Sequence, residues 1–244
     1  MAELEFTLVI HYGAKPAPLG TLLSSLVDLL DQRWGKAFEP YSLGQMHATL
    51  IGLETERIDG IRVNRGFWTH RGERRVADPD RIAALVQAPG RLPFRVRFGG
   101  FRADETYPFT SRGRHPHERT FQLQGNQVVL MGWPDHEGGF PRTLAELRHG
   151  FEAANLLHKY HAAPQDDDND LFLVLGHLDR TRLRADPEAV IAEVREHLAT
   201  SPTWVDVERD ALKLVAYSDP RLPEGECQSW PLEQQALRAA FESD

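Results

Sequence analysis

The sequence is poor in cysteine, in long apolar runs and in excess positive charge. Its single cysteine, Cys227, excludes an internal disulfide framework and is typical of a reducing compartment. No apolar run approaches the roughly 20 residues needed to cross a bilayer. The first residues, MAELEFTLVIHYG, lack the basic start and the cleavage site of a secretory leader. We therefore expect a cytoplasmic protein without a membrane partner.

The formal charge of −8 argues against broad, sequence-independent binding to DNA, which requires a basic surface. Arginines nevertheless cluster in two segments, 57–75 and 112–119. Most of these side chains are expected to be solvated. A small phosphate pocket with locally basic walls stays compatible with the net charge.

Hydrophobic periodicity predicts alternating strands and helices. Segment 54–77 is predicted to be irregular. The predicted strands are 4–12, 45–54, 92–101, 121–133 with a hairpin at Gly125-Asn126, 171–180, 203–209 and 211–218. The predicted helices are 19–35, 80–87 after Asp78-Pro79, 141–160, 188–198 after Asp186-Pro187, and 232–241.

The predicted order of elements repeats along the chain. Strand, helix, histidine-bearing strand, Asp-Pro helix and alternating strand run from 4 to 99, and the same order runs from 127 to 208. We expect one bilobal α+β domain over 1–244, with halves of about 1–120 and 121–220, an insertion at 54–77 and a tail at 220–244. Its two pseudo-symmetric lobes would place antiparallel sheets around a central cleft, with helices outside.

Two very apolar strands each carry a histidine, and the repeat predicts equivalent positions for His47 and His177. Thr49 lies two residues after His47, so both side chains share one face of the strand. One neutral imidazole could remove a proton from an attacking oxygen while the other protonates a leaving oxygen. Nearby hydroxyls could hold a phosphoryl group between them. This chemistry needs no metal and no cofactor.

The motif His47-Ala48-Thr49, read as H-x-T with apolar flanks, resembles the signature of the two-histidine phosphoesterases. This family includes the LigT-like 2′-5′ RNA ligases and cyclic nucleotide phosphodiesterases. LPFRVRFGGF is similar to the family's mid-chain strand, and VERDALKLVAYSDPRLPEGECQSWPL is similar to its last strand and loop. The resemblance implies a phosphodiesterase acting on RNA ends or on cyclic or 2′-5′-linked nucleotides.

The family pattern implies a second H-x-[ST], but the second histidine strand reads His177-Leu178-Asp179. An ionised carboxylate repels phosphate, so Asp179 cannot simply replace the hydroxyl of the motif. It could instead orient a histidine, or Arg180 could neutralise its charge. We predict His47, Thr49, His177 and Asp179 as catalytic residues. The candidates for binding substrate are Arg180, Tyr217, Trp68 and His11. We expect no stable protein partner and a monomer.

Two other functions are open at this point. A cleft with one decayed motif could bind a nucleotide or a partner protein without turnover. A metal hydrolase could use histidines such as His158 and His161, although no metal motif supports this and we expect surface histidines instead. The acidic run QDDDND (165–170) lacks the glycine and the distal glutamate of a calcium loop and is expected to be a solvated turn.

Overall fold

The computed structural model describes residues 4–163 and 166–242. Strands and helices alternate along this part of the chain. The strands are β1 (Glu5–Ile10), β2 (Phe38–Pro40), β3 (Ala48–Gly52), β4 (Thr55–Ile58), β5 (Ile61–Asn64), β6 (Phe94–Phe98), β7 (Phe121–Gln124), β8 (Gln127–Pro134), β9 (Leu171–Leu178), β10 (Thr203–Val207), β11 (Leu212–Tyr217) and β12 (Gln228–Pro231). The helices are α1 (Ala17–Trp34), α2 (Arg65–Arg71), α3 (Pro79–Gln87), α4 (Pro116–Thr120), α5 (Thr143–Gly150), α6 (Pro187–Thr200) and α7 (Gln234–Glu242).

Ten strands form one antiparallel sheet in the order β10-β6-β8-β9-β3-β1-β11-β12, with β2 beside β9 and β7 beside β8. The middle of the sheet is the junction of β9 and β3, where Ala48 lies opposite Leu173. The predicted α+β class with antiparallel strands is therefore confirmed. Over the residues that the structure describes, no helix combines the length and the apolar character that a membrane crossing requires.

The sheet divides at the β9–β3 junction into a β8 half (β2, β6, β7, β8, β9, β10) and a β1 half (β1, β3, β11, β12). These halves do not follow the predicted chain halves of about 1–120 and 121–220. The strand β6 belongs to the first chain half and pairs with β8 and β10, whereas β11 belongs to the second chain half and pairs with β1. The chain halves and the sheet halves differ because strand pairing depends on tertiary packing and not on closeness in sequence.

The core lies on one face of the sheet, under α1. Ala48 and Leu50 of β3, with Leu173 and Leu175 of β9, point into this core and are fully buried. Each fully buried leucine stabilises the fold by about 1.5–3 kcal/mol. The alternation of side chains along a strand then places His47, Thr49 and their neighbours on the opposite face. The buried leucines of α1 are Leu19, Leu22, Leu23, Leu26 and Leu30.

The two Asp-Pro signals start helices as predicted. The Asp78 carboxylate accepts hydrogen bonds from the Asp80 and Arg81 backbone N–H groups at the start of α3, and Asp186 caps α6 through Glu188. These bonds satisfy N–H groups that have no partner within the helix.

Segment 54–77 is more regular than predicted. It contains the hairpin β4–β5 and then helix α2, which is capped by Asn64. The signal for the hairpin is Asp59-Gly60, since both residues adopt positive φ, as a tight turn between two short strands requires.

The prediction of a single long helix over 141–160 is wrong. The helix α5 ends at Gly150, a 3-10 turn follows over Phe151–Ala154, and Asn155 adopts a left-handed conformation. The chain then turns so that Leu156 and Leu157 are buried. Apolar residues at helical spacing predicted one helix, but the left-handed Asn155 ends the helical path and redirects the same residues.

Candidate functional site

A cavity of about 200 Å³ opens on the sheet face opposite the α1 core, at the β3–β9 junction. Cationic side chains, histidines and carboxylates all line it. The lining residues are Tyr41, His47, Thr49, Arg112, Gln124, Gln127, Arg148, His158, Lys159, Tyr160, Asp168, Asp170, Phe172, Val174 and Pro220.

An aromatic cluster fills the β8 half of this face and confines the cavity to the junction. Phe101 packs edge-on against Trp133 with ring centroids 5.0 Å apart, and Phe109 contacts Phe140 at 4.6 Å. Phe172 packs against the same cluster from β9. The wall of the cavity beside β9 is therefore apolar.

His47 lies immediately before β3 and is half-buried. Its Nδ1 is 2.6 Å from the Gln45 carbonyl oxygen, so Nδ1–H donates and the neutral ring keeps a lone pair on Nε2. Burial lowers the pKa of His47 to about 4, and the ammonium of Lys15 acts in the same direction. The ring is thus neutral near pH 7 and suited to accept a proton.

Thr49 lines the cavity two residues further along, on the same face as His47. Its backbone is held by Arg148, whose Nη2 donates to the Thr49 carbonyl at 3.0 Å and whose Nε donates to the Leu50 carbonyl at 3.1 Å. The strand that carries the motif is therefore fixed to α5.

Arg148 is buried and also binds the acidic loop. Its Nη1 donates to the carbonyl oxygens of Asp168 and Asp170 and to the Asp168 carboxylate, at 2.9–3.1 Å. The predicted solvated turn at QDDDND is wrong for these two residues, since Asp168 is 9% and Asp170 is 3% exposed. Burial raises the pKa of Asp170, whereas bonding to His161 and the charge of Arg148 hold the pKa of Asp168 well below its usual range against the opposing effect of burial.

His158 and His161 are also buried, at 2% and 1% exposure, so the expectation of surface histidines is wrong. The Gly52 N–H donates to His158 Nδ1 at 3.2 Å, which assigns the proton of the neutral ring to Nε2. Burial, with the nearby charge of Arg148, lowers the pKa of His158 to about 3. The next residue, Lys159, is exposed and brings an ammonium to the cavity.

His177 faces a neighbouring cavity of about 630 Å³. It lies three residues beyond Val174, the residue opposite His47 by the Ala48–Leu173 register, and a bulge interrupts β9 between Val174 and Gly176. Tyr41 lines both cavities, and its hydroxyl is 2.6 Å from His177 Nε2. His47 and His177 therefore line different cavities, and Tyr41, which contacts His177, lines both.

Asp179 lines the cavity of His177, but its carboxylate binds its own loop. It accepts from the Thr181 hydroxyl at 2.6 Å and backbone N–H at 3.0 Å, and pairs with Arg182 at 3.0 Å. These contacts lower the pKa of Asp179, with the Thr181 bonds as the main cause.

The four residues predicted to bind substrate lie outside the lining of the His47 cavity, as far as the structure describes the chain. His11 is 2% exposed, and burial lowers its pKa to about 4. Tyr217 packs beside Val215 at the edge of a small apolar cluster. Trp68 is exposed and lies under the Arg74 guanidinium at 4.7 Å, and Arg180 donates to the Gly125 carbonyl at 3.2 Å.

Sequence reasoning missed Tyr41, Arg148 and Lys159. Tyr41 follows the short strand β2, whose pairing with β9 brings it to His177. No local pattern distinguishes Arg148 or Lys159 from solvated residues of a helix. One sequence signal was available for the surroundings of Lys159. His158 and His161 have the i, i+3 spacing of residues on one helix face, which predicts that the two side chains lie close together.

No family model matches the chain, and no curated protein matches its sequence. Two solved structures are similar over nearly the whole chain. TT0787 of Thermus thermophilus is 17% identical with a TM-score of 0.44, covering 94% of this chain and 95% of that one. E. coli LigT complexed with NADP+ is 14% identical with a TM-score of 0.40, covering 95% and 96%. Both similarities concern the fold, so the chemistry of this cleft rests on the chain's own residues.

Proposed function

We propose that the chain is a metal-independent phosphoesterase that acts on RNA ends or on cyclic or 2′-5′-linked nucleotides in the cleft beside β3. One observation carries this proposal. His47 offers a neutral Nε2 lone pair in a cavity that also contains the Thr49 side chain and the cationic side chains of Lys159 and Arg112. Such a set matches displacement at phosphorus, which needs a base and a cradle for anionic oxygens.

In the hydrolytic reaction His47 Nε2 removes a proton from water while the water oxygen forms a bond to phosphorus. The Thr49 hydroxyl donates a hydrogen bond to a non-bridging oxygen, and Lys159 neutralises charge on the same group. The bond between phosphorus and the leaving ribose oxygen breaks as charge builds up on that oxygen.

The leaving oxygen receives its proton from the Tyr41 hydroxyl, and Tyr41 is reprotonated by the imidazolium of His177. The 2.6 Å contact between the Tyr41 hydroxyl and His177 Nε2 supports this relay. Burial raises the pKa of Tyr41 to about 12, so the phenol stays protonated and transfers a proton without resting as an anion. The relay allows the two-histidine chemistry although the rings face different cavities.

The first experiment is a screen of 2′,3′-cyclic nucleotides, 2′-5′-linked dinucleotides and RNA ends. In metal-free buffer, His47→Ala should lower kcat by about 10²–10⁴-fold through loss of the base. The exposed His70→Ala is the matched control and should retain the parent rate. A His47→Ala protein that is folded and hydrolyses the substrate at the parent rate would overturn the proposal.

The relay is tested separately with Tyr41→Phe and His177→Gln. Tyr41→Phe keeps the ring packing but removes the transferable proton, and His177→Gln keeps a hydrogen-bonding partner for Tyr41 without its acid. Both should lower kcat with little change in KM, and the double variant should lose no more than the worse single variant, since the two residues act in sequence. Additive losses would contradict a relay.

The second candidate is a nucleotide-binding protein without turnover. It is favoured by the apolar pair Val174 and Phe172, which the β9 register places opposite His47 and Thr49 where a second polar motif would complete a symmetric site. For this function, 2′,3′-cyclic nucleotides should raise Tm progressively, with the logarithm of their concentration once it exceeds Kd, and should not be consumed.

A further inference from the structure

We propose that His149, Glu152 and His161 form a binding site for a divalent transition-metal ion of the zinc type, outside the cleft chemistry. His149 lies near the end of α5, Glu152 in the following 3-10 turn, and His161 in the turn that carries His158 and Lys159. One donor atom from each of the three side chains lies within 4.8 Å of the other two.

To bind one ion, the three donor atoms must draw together from within 4.8 Å of one another, and the His149 ring must turn out of its stacked contact with His161. His149 Nδ1 is already 3.3 Å from Glu152 Oε1. Two donors on a tetrahedral zinc ion with bonds of about 2.0–2.1 Å are about 3.3 Å apart. His149 and Glu152 are half-buried, so rotation of their side chains can close the remaining distance and leaves an entry path for the ion.

His161 supplies an independent observation. Its ring is 1% exposed, and Nε2 lies 3.1 Å from Asp168 Oδ1. Its Nδ1 is buried and finds no hydrogen-bond partner in the described part of the chain. A buried nitrogen without a partner is costly and rare, and a metal ion would satisfy it.

Carboxylates lie behind both histidines. Asp168 would hold the ring of His161 through Nε2, and Asp167 Oδ1 lies 3.9 Å from His149 Nε2. Metal-binding histidines commonly have such a carboxylate partner on the second ring nitrogen, which sets the tautomer and strengthens the ligand. Two imidazoles and one carboxylate favour Zn²⁺ or neighbouring transition metals over Mg²⁺ or Ca²⁺.

The ion would have a positioning role. It would join the end of α5 to the turn that brings His158 and Lys159 to the cavity, and it would not contact a reacting atom. The proposal does not depend on the phosphoesterase activity.

The test uses the full-length, tag-free protein after chelator treatment and dialysis. Calorimetric titration with ZnCl₂ should show one ion per chain, and Co²⁺ should produce visible absorption bands of a low-symmetry site. His149→Ala and Glu152→Gln alter half-exposed side chains and should weaken Zn²⁺ binding at least about tenfold. The control is His197→Ala, an exposed histidine on α6.

The result that supports the site is one Zn²⁺ per chain, bound at least about tenfold more weakly by His149→Ala and by Glu152→Gln and with parent affinity by His197→Ala. The proposal is overturned if the parent binds no Zn²⁺, or if His149→Ala binds it as tightly as the parent. Equal affinity for Mg²⁺ would also overturn it.

Discussion

Replacing Arg148 with methionine should destabilise the protein far more than the same replacement of a surface arginine. Methionine keeps much of the volume of the side chain but removes the guanidinium. Arg148 donates to the backbone oxygens of Thr49, Leu50, Asp168 and Asp170 and to the Asp168 carboxylate. Its side chain is 2% exposed, and that of Asp168 is 7% exposed.

The expected loss in the free energy of unfolding comes from the buried oxygens that lose their hydrogen-bond donor. Removing one partner of a buried ion pair typically costs about 3–5 kcal/mol, because the other charge stays buried. Each buried carbonyl that loses its donor adds about 1–3 kcal/mol unless water reaches it. Because the cavity lies beside Thr49, water can satisfy part of this set, so we expect a loss of at least about 3 kcal/mol in the free energy of unfolding.

Urea unfolding monitored by tryptophan fluorescence measures this loss. The control Arg142→Met removes an exposed pair with Asp167 and should change stability by no more than about 1 kcal/mol. The double variant Arg148→Met/Asp168→Asn should recover part of the loss, since it removes a buried carboxylate charge that has lost its closest cation. If Arg148→Met costs less than the control, the network does not stabilise the fold.

Three further outcomes follow from contacts described above. Thermal unfolding should show stability that is full above about pH 6.5 and falls as pH drops toward 4, because the unfolded chain protonates His11 and His47 near 6.5 whereas burial lowers their folded pKa values to about 4. Asparagine tolerates the positive φ at position 11, so His11→Asn should reduce the dependence of stability on pH between 6.5 and 4. An unchanged dependence would contradict the contribution of His11. Asp78→Ala should cost about 1 kcal/mol in urea unfolding by removing the cap of α3, while an unchanged midpoint would mean that the cap is replaced. Gly99→Ala should cost more than about 1 kcal/mol, because φ is +69° and the added Cβ would lie 2.5 Å from the Leu198 carbonyl oxygen; normal stability would show that this turn can shift.

Local patterns predicted much of the fold. Leucine spacing located α1, Asp-Pro pairs located the starts of α3 and α6, and Gly125-Asn126 located the β7–β8 hairpin. These features depend on neighbours in sequence, so a single chain contains the information. The end of α5 was not predicted, because apolar spacing continues past Asn155 and the turn there is set by burial of the following residues.

The candidate site was predicted only where its residues are adjacent in sequence. His47 and Thr49 were identified from their spacing and lie in the cavity together. Arg148 and Asp168 were missed because their ion pair joins a helix to an acidic run that, read alone, indicates a solvated loop. Tyr41, which lines the cavity of His47 and contacts His177, was missed because its position depends on how β2 pairs with β9.

Each half of the chain contributes a strand to the sheet half formed mainly by the other, and this arrangement affects folding during synthesis. The first strand, β1, receives one of its two neighbours, β11, only after more than two hundred residues have been synthesised. Until then one edge of β1 is open to pairing with other chains, and contacts this distant in sequence form slowly. This edge of β1 is therefore exposed to aggregation until β11 leaves the ribosome, and splitting the gene at the middle would separate strands that must pair.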